Sequence, residues 1–502
     1  MILLLSIITT FGSIILLFGI SLMFLAIFNI FRHKSYKINI HNTPKFSLII
    51  PAHNEEDVIE RTIKCFLNTD YPINKKELII INDGSHDSTK SIVSKYATHI
   101  INNGKIFEQN PWEINNGLFN LGKEGNEIDN INKKKQCKII LINRTSGGKG
   151  KSYALNEGIK LSSGEILLFI DADIQFKKDI FHRAALHFSN PNVSGLAGCV
   201  DVKEHKYNIL NGLIQFEYVI GQQILRRGFN VLGVHYIIPG GCAFIRKSII
   251  QKVGGGYSHD TLAEDTDMTW NILTESKGEI RFDPNIRVLA DEPSSILGLW
   301  NQRVRWSRGN IQVTYKHRHK IGKRSYGKSM HIFFPFWITS QLLPFGFILS
   351  SIGVLFATYF NIRLHSFHYI GEFLAITFFI TLIIGTVLSK GKAFWGGLFT
   401  PGIPILIFFT VFLFYPHGIN GLLTNMHIQR YSALVNLFLG IWVLISIPGT
   451  YLCNYISKYI PMLGKFLQVF VFGYWMFLIT TIIQGYILEF TKKENIWIRT
   501  QR

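Results

Sequence analysis

The chain's long apolar segments sit at its two ends and leave a polar middle, and this distribution limits the fold more than any single motif. Met1 to Phe31 carries no charged residue, and Arg32, His33, Lys34 and Lys37 follow directly. An uncharged stretch of this length without an A-x-A cleavage site exceeds a signal-peptide core and reads as a retained transmembrane helix. The basic cluster behind it places the next domain in the cytoplasm. After Lys328 apolar segments return at His331–Phe360, Ile370–Leu388, Leu398–Tyr415, Leu434–Leu452 and Phe466–Phe490. The third contains Pro401 and Pro404 and is short, which suits a re-entrant or interfacial element. The tail, with Lys492, Lys493, Arg499 and Arg502, is basic, so both it and the soluble domain are expected inside. An even number of spans must then separate them: four, plus one partial element.

Between roughly Lys45 and Lys328 the pattern changes to short β-branched runs alternating with amphipathic stretches. FSLIIPA, ELIIIND, CKIILIN and GEILLFIDAD each end in a turn or an acidic residue, with helical segments such as Glu56–Leu67 and Ser85–Ala97 between them. Buried parallel strands joined by helices fit this alternation, and such sheets carry their sites at the carboxyl ends of the strands. The stretch Asn102–Lys135, rich in Asn, Gly, Lys and Ile, reads as a loop insertion outside the core. The expected organisation is therefore a helix at 1–31, a cytoplasmic domain at 45–294, an interfacial helical region at 295–328, transmembrane helices at 329–490 and a basic tail at 491–502.

The net charge of +19, from 52 Lys and Arg against 33 Asp and Glu, is accounted for by cytoplasmic loops, an anionic leaflet and a phosphate-bearing substrate. No nucleic-acid recognition module accompanies it, so nucleic acid is not expected as a partner. Cys65, Cys137, Cys199, Cys242 and Cys453 are scattered, with no C-x-x-C pair, and are expected reduced.

Several constellations carry chemistry. Asp171-Ala-Asp173 closes the run Ile166–Ile170. Carboxylates at i and i+2 leaving a strand share a face, where they can hold a hard divalent cation against a diphosphate. Asn82-Asp83-Gly84-Ser85 and the stretch Ile50 to Glu56 close two earlier strands. For Asp83 and Ser85 the same residues also suit helix capping. Gly147-Gly148-Lys149-Gly150-Lys151-Ser152 fails the P-loop spacing, because Thr145 stands where glycine is required. Lys151 remains either a phosphate contact or a solvated loop lysine. Ala263-Glu264-Asp265 precedes a helical stretch and offers a general base or an acidic first turn complementing the helix dipole. In Gln302-Arg303-Val304-Arg305-Trp306, helical spacing gathers Gln302, Arg305 and Trp306 on one face. Such a face suits a departing pyrophosphate and a sugar, and it equally suits a membrane surface.

Taken in order, IIPAHNEE, NDGS, GGKGKSYALN, DAD, GGCAF, AED and QRVRW resemble the membrane-embedded family-2 glycosyltransferases, the group of poly-N-acetylglucosamine, hyaluronan, chitin and cellulose synthases. The resemblance runs from about Phe46 to Trp306 and extends to the flanking apolar segments. It implies an α/β GT-A (Rossmann-like) domain between an N-terminal transmembrane helix and a C-terminal helical bundle, in a multi-pass protein of the cell inner membrane. It assigns Glu55, Asp83, Lys151, Asp171 and Asp173 to a UDP-sugar donor, with Mg²⁺ or Mn²⁺ on Asp173. Asp265 would be the catalytic base, with Glu264 beside it. Gln302, Arg303, Arg305 and Trp306 would hold the pyrophosphate and the acceptor sugar, near a loop of Gly240, Gly241 and Cys242. The expected reaction is inverting transfer, with UDP-N-acetylglucosamine the favoured donor and a growing polysaccharide or a membrane lipid the acceptor. An accessory membrane subunit is a further possible partner. Two features depart from the family pattern: Ala263 stands where many relatives carry Thr, and the 102–135 insertion is long.

Overall fold

The computed structural model describes residues 43–102, 104–108, 137–144, 150–203, 208–235, 237–276, 278–359, 366–414 and 431–493, with a few positions between 21 and 28. Most of the apolar N-terminal segment, residues 109–136 of the insertion, the glycine-rich run 145–149 and the tail beyond 493 lie outside these.

A ten-stranded sheet organises the polar middle. Its strands are β1 (Phe46–Ala52), β2 (Lys76–Asn82), β3 (His99–Asn102), β4 (Lys105–Glu108), β5 (Lys138–Asn143), β6 (Ile166–Phe169), β7 (Gln175–Phe176), β8 (Val193–Val202), β9 (Ala243–Arg246) and β10 (Glu279–Ala290). Their order is β4-β3-β5-β2-β1-β6-β9-β8-β10-β7. The half read from the sequence is parallel: β1 pairs with β2 and β6, and β2 with β5. The other half is mixed, because β9 runs antiparallel to both β6 and β8. The parallel pairing expected of the four runs read from the sequence therefore holds, and the antiparallel strands lie outside them. The insertion differs from expectation, since Lys105–Glu108 pairs antiparallel with β3 as an exposed edge strand.

Alternation along β1 shows why these runs are so apolar. Leu48 and Ile50 face one core, with Ile59, Ile63 and Phe66 of helix α1 (Ile59–Leu67). Ile49 faces a second core on the opposite side, with Ala154, Leu155 and Ile159 of helix α2 (Lys151–Leu161). A strand covered on both faces has no solvent-facing positions to fill with polar residues.

Helices α3 (Ile209–Tyr218), α4 (Glu264–Asn271) and α5 (Ile296–Lys316) follow in the second half. Ser295 caps α5, its Oγ accepting from Gly298 N at 3.1 Å. All five C-terminal apolar segments fold into helices: α6 (Phe334–Tyr359), α7 (Ser366–Leu388), α8 (Ile403–Phe414), α9 (Tyr431–Ser457) and α10 (Gly473–Phe490). Among the described residues, however, one helical stretch is long and apolar enough to cross a bilayer: Pro461–Phe490, 30 residues, whose most apolar 18-residue window has mean hydropathy 2.0. Pro344–Gly353 and Leu374–Leu388 are shorter apolar runs. The expected count of four spans is not reproduced. Half of the most apolar window in Pro461–Phe490 is buried inside the chain.

Much of that burial is against α5. Arg308 Nε donates to Glu489 Oε1 at 2.5 Å, Gln312 Nε2 reaches the same oxygen at 3.1 Å, and Arg308 Nη2 donates to Lys493 O at 2.7 Å. On another face, α5 packs directly on the turn that starts α4. A Cβ built on Gly309 would lie 2.6 Å from Ala263 Cβ and 2.7 Å from its backbone N. The backbone cannot yield as a flexible side chain would. Gly309→Val is therefore expected to destabilise the fold by about 1–3 kcal/mol through overpacking. Thermal unfolding in detergent measures it, and an unchanged midpoint would contradict the close packing of α5 on Ala263.

Candidate active site

The carboxyl ends of β1 and β2 are joined loop to loop. Asn54, in left-handed conformation (φ 55°), donates its N–H to Ser85 Oγ at 2.9 Å and accepts from His86 N at 2.8 Å. Glu55 N donates to Thr89 Oγ1 at 2.7 Å, and Glu55 is itself buried. Asp83 lies beneath this junction. Its Oδ1 pairs with Arg144 Nη1 at 2.9 Å, and His53 Nδ1 stands 2.8 Å from its carbonyl oxygen. Arg144 leaves β5 and also reaches Glu157 on α2 at 3.3 Å, so one guanidinium spans two loops and a helix. Sequence reasoning missed it, since a lone Arg after a strand carries no pattern.

β6 stops at Phe169, and the following residues form a turn in which Ile174 N bonds to Asp171 O at 3.2 Å. This removes the strand geometry that was to place Asp171 and Asp173 on one face. Asp171 stays 40 % exposed and meets Lys151 Nζ at 2.6 Å. Asp173 is buried, its Oδ2 accepting from Asp291 N at 3.2 Å. Asp291 is buried too; burial opposes its charge, but Arg61 at 2.5 Å and Lys203 at 3.2 Å hold its pKa below the usual carboxylate value.

Lys151 is the first residue of α2, and its ammonium draws three elements together. Besides Asp171 it meets Glu264 Oε1 at 3.4 Å. A Cβ on Gly240 would lie 3.3 Å from Nζ and 3.5 Å from Asp265 Oδ2, so the glycine backbone passes close beside both groups. Burial works against the ammonium, yet Asp171, Glu264 and Asp265 together hold its pKa above the ordinary lysine value. Burial drives Glu264 upward, with Lys151 and Arg305 opposing and Asp265 reinforcing the rise. Asp265 is fixed by two backbone donors, Gly240 N on Oδ2 at 2.8 Å and Thr266 N on Oδ1 at 2.7 Å. Glu264 and Asp265 stand in the first turn of α4, where the dipole reading places them.

The glycine loop and α5 divide into two kinds of residue. Gly240 touches the cluster. Gly241 packs toward Val200 and Ile174, and Cys242 is fully buried, its thiol pushed well up by that burial. Cys242 therefore belongs to the core and offers no surface to an acceptor, which corrects the expectation for that residue. On α5, the Arg305 charge acts on Glu264 from the cluster side. Arg303 is buried: Nη2 donates to Glu217 Oε2 at 2.8 Å, Nη1 donates to Gln302 Oε1, and the guanidinium lies 4.3 Å from the Trp306 ring centroid. Gln302 Nε2 donates to Glu292 Oε2 at 3.2 Å. Glu217 and Glu292 were also missed, because their partners lie on another element.

The family model described as "Glycosyl transferase family group 2" matches residues 166–416, and "Glycosyl transferase family 2" matches residues 47–113. Among curated relatives, the probable glycosyltransferase YdaM of Bacillus subtilis is 30% identical over 330 residues, 66% of this chain and 70% of that protein. The poly-β-1,6-N-acetyl-D-glucosamine synthase of Staphylococcus epidermidis is 27% identical over 268 residues, 53% of this chain and 55% of that synthase, so the match spans about half of each. Among solved structures, the mannosyltransferase PcManGT from Pyrobaculum calidifontis, in complex with GDP-Man and Mn²⁺, aligns with a TM-score of 0.51 at 18% identity, covering 82% of this chain and 99% of that one. At that identity the structural likeness concerns the fold. A GT-A-like mixed sheet, carboxylates at its strand ends and these family matches converge: the chain is a glycosyltransferase and belongs to family 2.

Proposed function

We propose that this chain transfers a sugar, most simply N-acetylglucosamine from its UDP donor, onto a growing β-linked polysaccharide at the cytoplasmic face of the inner membrane. The observation that carries this reading is the cluster in which one lysine ammonium meets Asp171 and Glu264 beside an Asp265 whose orientation two backbone N–H groups fix. The choice of sugar and polymer is supported by the name of the staphylococcal relative. The membrane placement rests on the apolar C-terminal helices, of which Pro461–Phe490 is the one candidate span among the described residues.

In the proposed inverting step Asp265 takes the proton of an acceptor hydroxyl as that oxygen attacks the anomeric carbon. The bond from that carbon to the diphosphate breaks, and UDP departs with the electron pair. One base and no second nucleophilic carboxylate suffice for inversion. Lys151 and Arg305 place fixed positive charge where the leaving diphosphate gains negative charge. Asp83 and Arg144 line the edge expected to take the uridine, and Glu55 lies beneath it. The turn offers a divalent ion only a partial site: Asp171 is the open oxygen donor, already drawing the Lys151 ammonium, while Asp173 is buried at the same turn and would have to turn outward to join it. Among the described residues no three His, Cys, Asp or Glu side chains converge to hold a metal unaided. The remaining ligands would be diphosphate oxygens and water, as is usual for Mg²⁺. Bound there, Mg²⁺ or Mn²⁺ supplies charge against the departing diphosphate.

Radiolabel transfer by the detergent-solubilised protein, with UDP-N-acetylglucosamine, UDP-glucose and UDP-glucuronate compared, tests the reading. The expected result is high-molecular-weight product from the first donor, abolished by a chelator and restored by Mg²⁺ or Mn²⁺. Label confined to an organic-extractable lipid would replace the polymer with single addition to a lipid acceptor. Asp265→Asn should lower kcat by about 10²–10⁴-fold, the usual contribution of a general base, while leaving UDP affinity unchanged. Lys151→Met should weaken UDP binding in calorimetry by roughly 10–100-fold, the loss of one charge-assisted contact. Unaltered UDP affinity in that variant would remove Lys151 from the donor site.

A further inference from the structure

Arg303 belongs to the motif expected to grip substrate, yet its side chain is only 4 % exposed and its guanidinium is directed into the protein. A buried guanidinium needs a countercharge, and without one its desolvation is strongly unfavourable. Glu217, in the last turn of α3, provides it. One carboxylate oxygen, Glu217 Oε2, accepts both from Arg303 Nη2 at 2.8 Å and from Tyr474 Oη at 2.5 Å. Tyr474 Oη itself lies 3.5 Å from the same Arg303 nitrogen. Three elements, α3, α5 and α10, therefore meet on one oxygen. The other side of the guanidinium carries the consequence. It lies 4.3 Å from the centroid of Trp306, covering one face of the indole, and donates to Gln302 Oε1. A parallel brace holds Gln302 from its other end, through Glu292, which also accepts from Tyr218 Oη at 2.5 Å.

We propose that Glu217 is a positioning residue for the acceptor: by fixing Arg303 it sets the plane of Trp306, and through Tyr474 it ties that plane to the candidate membrane helix. Arg303 is then scaffold rather than pyrophosphate ligand. The role of Trp306 as a wall for the acceptor sugar rests on the reading under Proposed function, whereas the orientation of the ring by Glu217 does not.

Two readouts separate these levels. The first is the ¹⁹F spectrum of the 5-fluorotryptophan-labelled full chain in detergent, with the Trp306 resonance assigned by Trp306→Phe. Glu217→Ala should shift that resonance, and Glu217→Gln, which still accepts from Arg303 and Tyr474, should return it toward the wild-type position. Tyr474→Phe, losing one of two donors, should fall between. A resonance unmoved in Glu217→Ala overturns the proposal whatever the enzyme transfers. The second is steady-state transfer to an oligosaccharide acceptor. Glu217→Ala should raise the acceptor KM about tenfold, leave the donor KM and UDP affinity within about twofold, and be largely rescued by Glu217→Gln. A uniform loss of kcat, donor KM, UDP affinity and thermal midpoint, without rescue by Gln, would show mere destabilisation and overturn it as well. A shifted resonance in a chain whose wild type transfers no sugar would support the positioning role while rejecting the acceptor reading.

Discussion

The ammonium of Lys151 among Asp171, Glu264 and Asp265 is the interaction on which the catalytic half depends. These groups come from the start of α2, the turn after β6 and the first turn of α4. Like charges gathered in a partly dry pocket repel: at 4 Å and an effective dielectric of 20, a pair of unit charges interacts by about 4 kcal/mol. One lysine at the centre turns that repulsion into attraction and makes the convergence of the three elements favourable. Glu264 records the remaining conflict, held above its ordinary pKa by burial and Asp265 while Lys151 and Arg305 pull it down. A buried carboxylate displaced upward among specific charged partners is characteristic of functional sites.

Helix α5 carries this arrangement outward. Gly309 lets it lie on the backbone of Ala263, directly before the acidic pair. Its other faces engage α10 through Arg308 with Glu489 and through Arg303 with Tyr474, and α3 through Arg303 with Glu217. A shift of the candidate span would thus be felt at Gln302 and Trp306 through charge-assisted bonds, which are short and directional. The same helix packs on the turn that starts α4 and on an apolar helix, which explains why its sequence allows two readings.

The first half of the sheet was legible because β1, β2 and β5 are covered on both faces and therefore spelled in continuous apolar residues. β8 was not, since Gly195 and Gly198 interrupt its run with positions that pack by lacking a side chain. β10 was hidden by Pro284 and by charged residues, and its pairing with β8 shifts register between Asp283 and Arg287. The residue types of the site could be read from motif order, but their division of labour could not. Asp171 and Asp173 part company because the strand ends two residues before the pair, and Cys242 turns inward where β9 begins. Arg144, Glu217, Glu292 and Tyr474 gain meaning only from partners far along the chain: 171 residues separate Arg303 from Tyr474. The membrane portion was the least legible, because hydropathy locates apolar helices without showing which of them face lipid and which face each other.

The central claim is that the strand-end edge around Lys151, and no other cavity, takes the nucleotide donor. A second cleft of about 620 Å³ opens on the outer side of α2, lined by Tyr153, His259 and Lys160, and provides a contrasting location. The most direct measurement is a cryo-electron microscopy structure of the full chain with UDP and Mn²⁺. The account predicts the uracil over Asp83 and the diphosphate between Lys151 and the turn at Asp171–Asp173, with Lys151 drawn from Asp171 toward phosphate. Nucleotide density in the cleft beside Tyr153 and His259, with the Lys151–Asp171 pair intact, would contradict it.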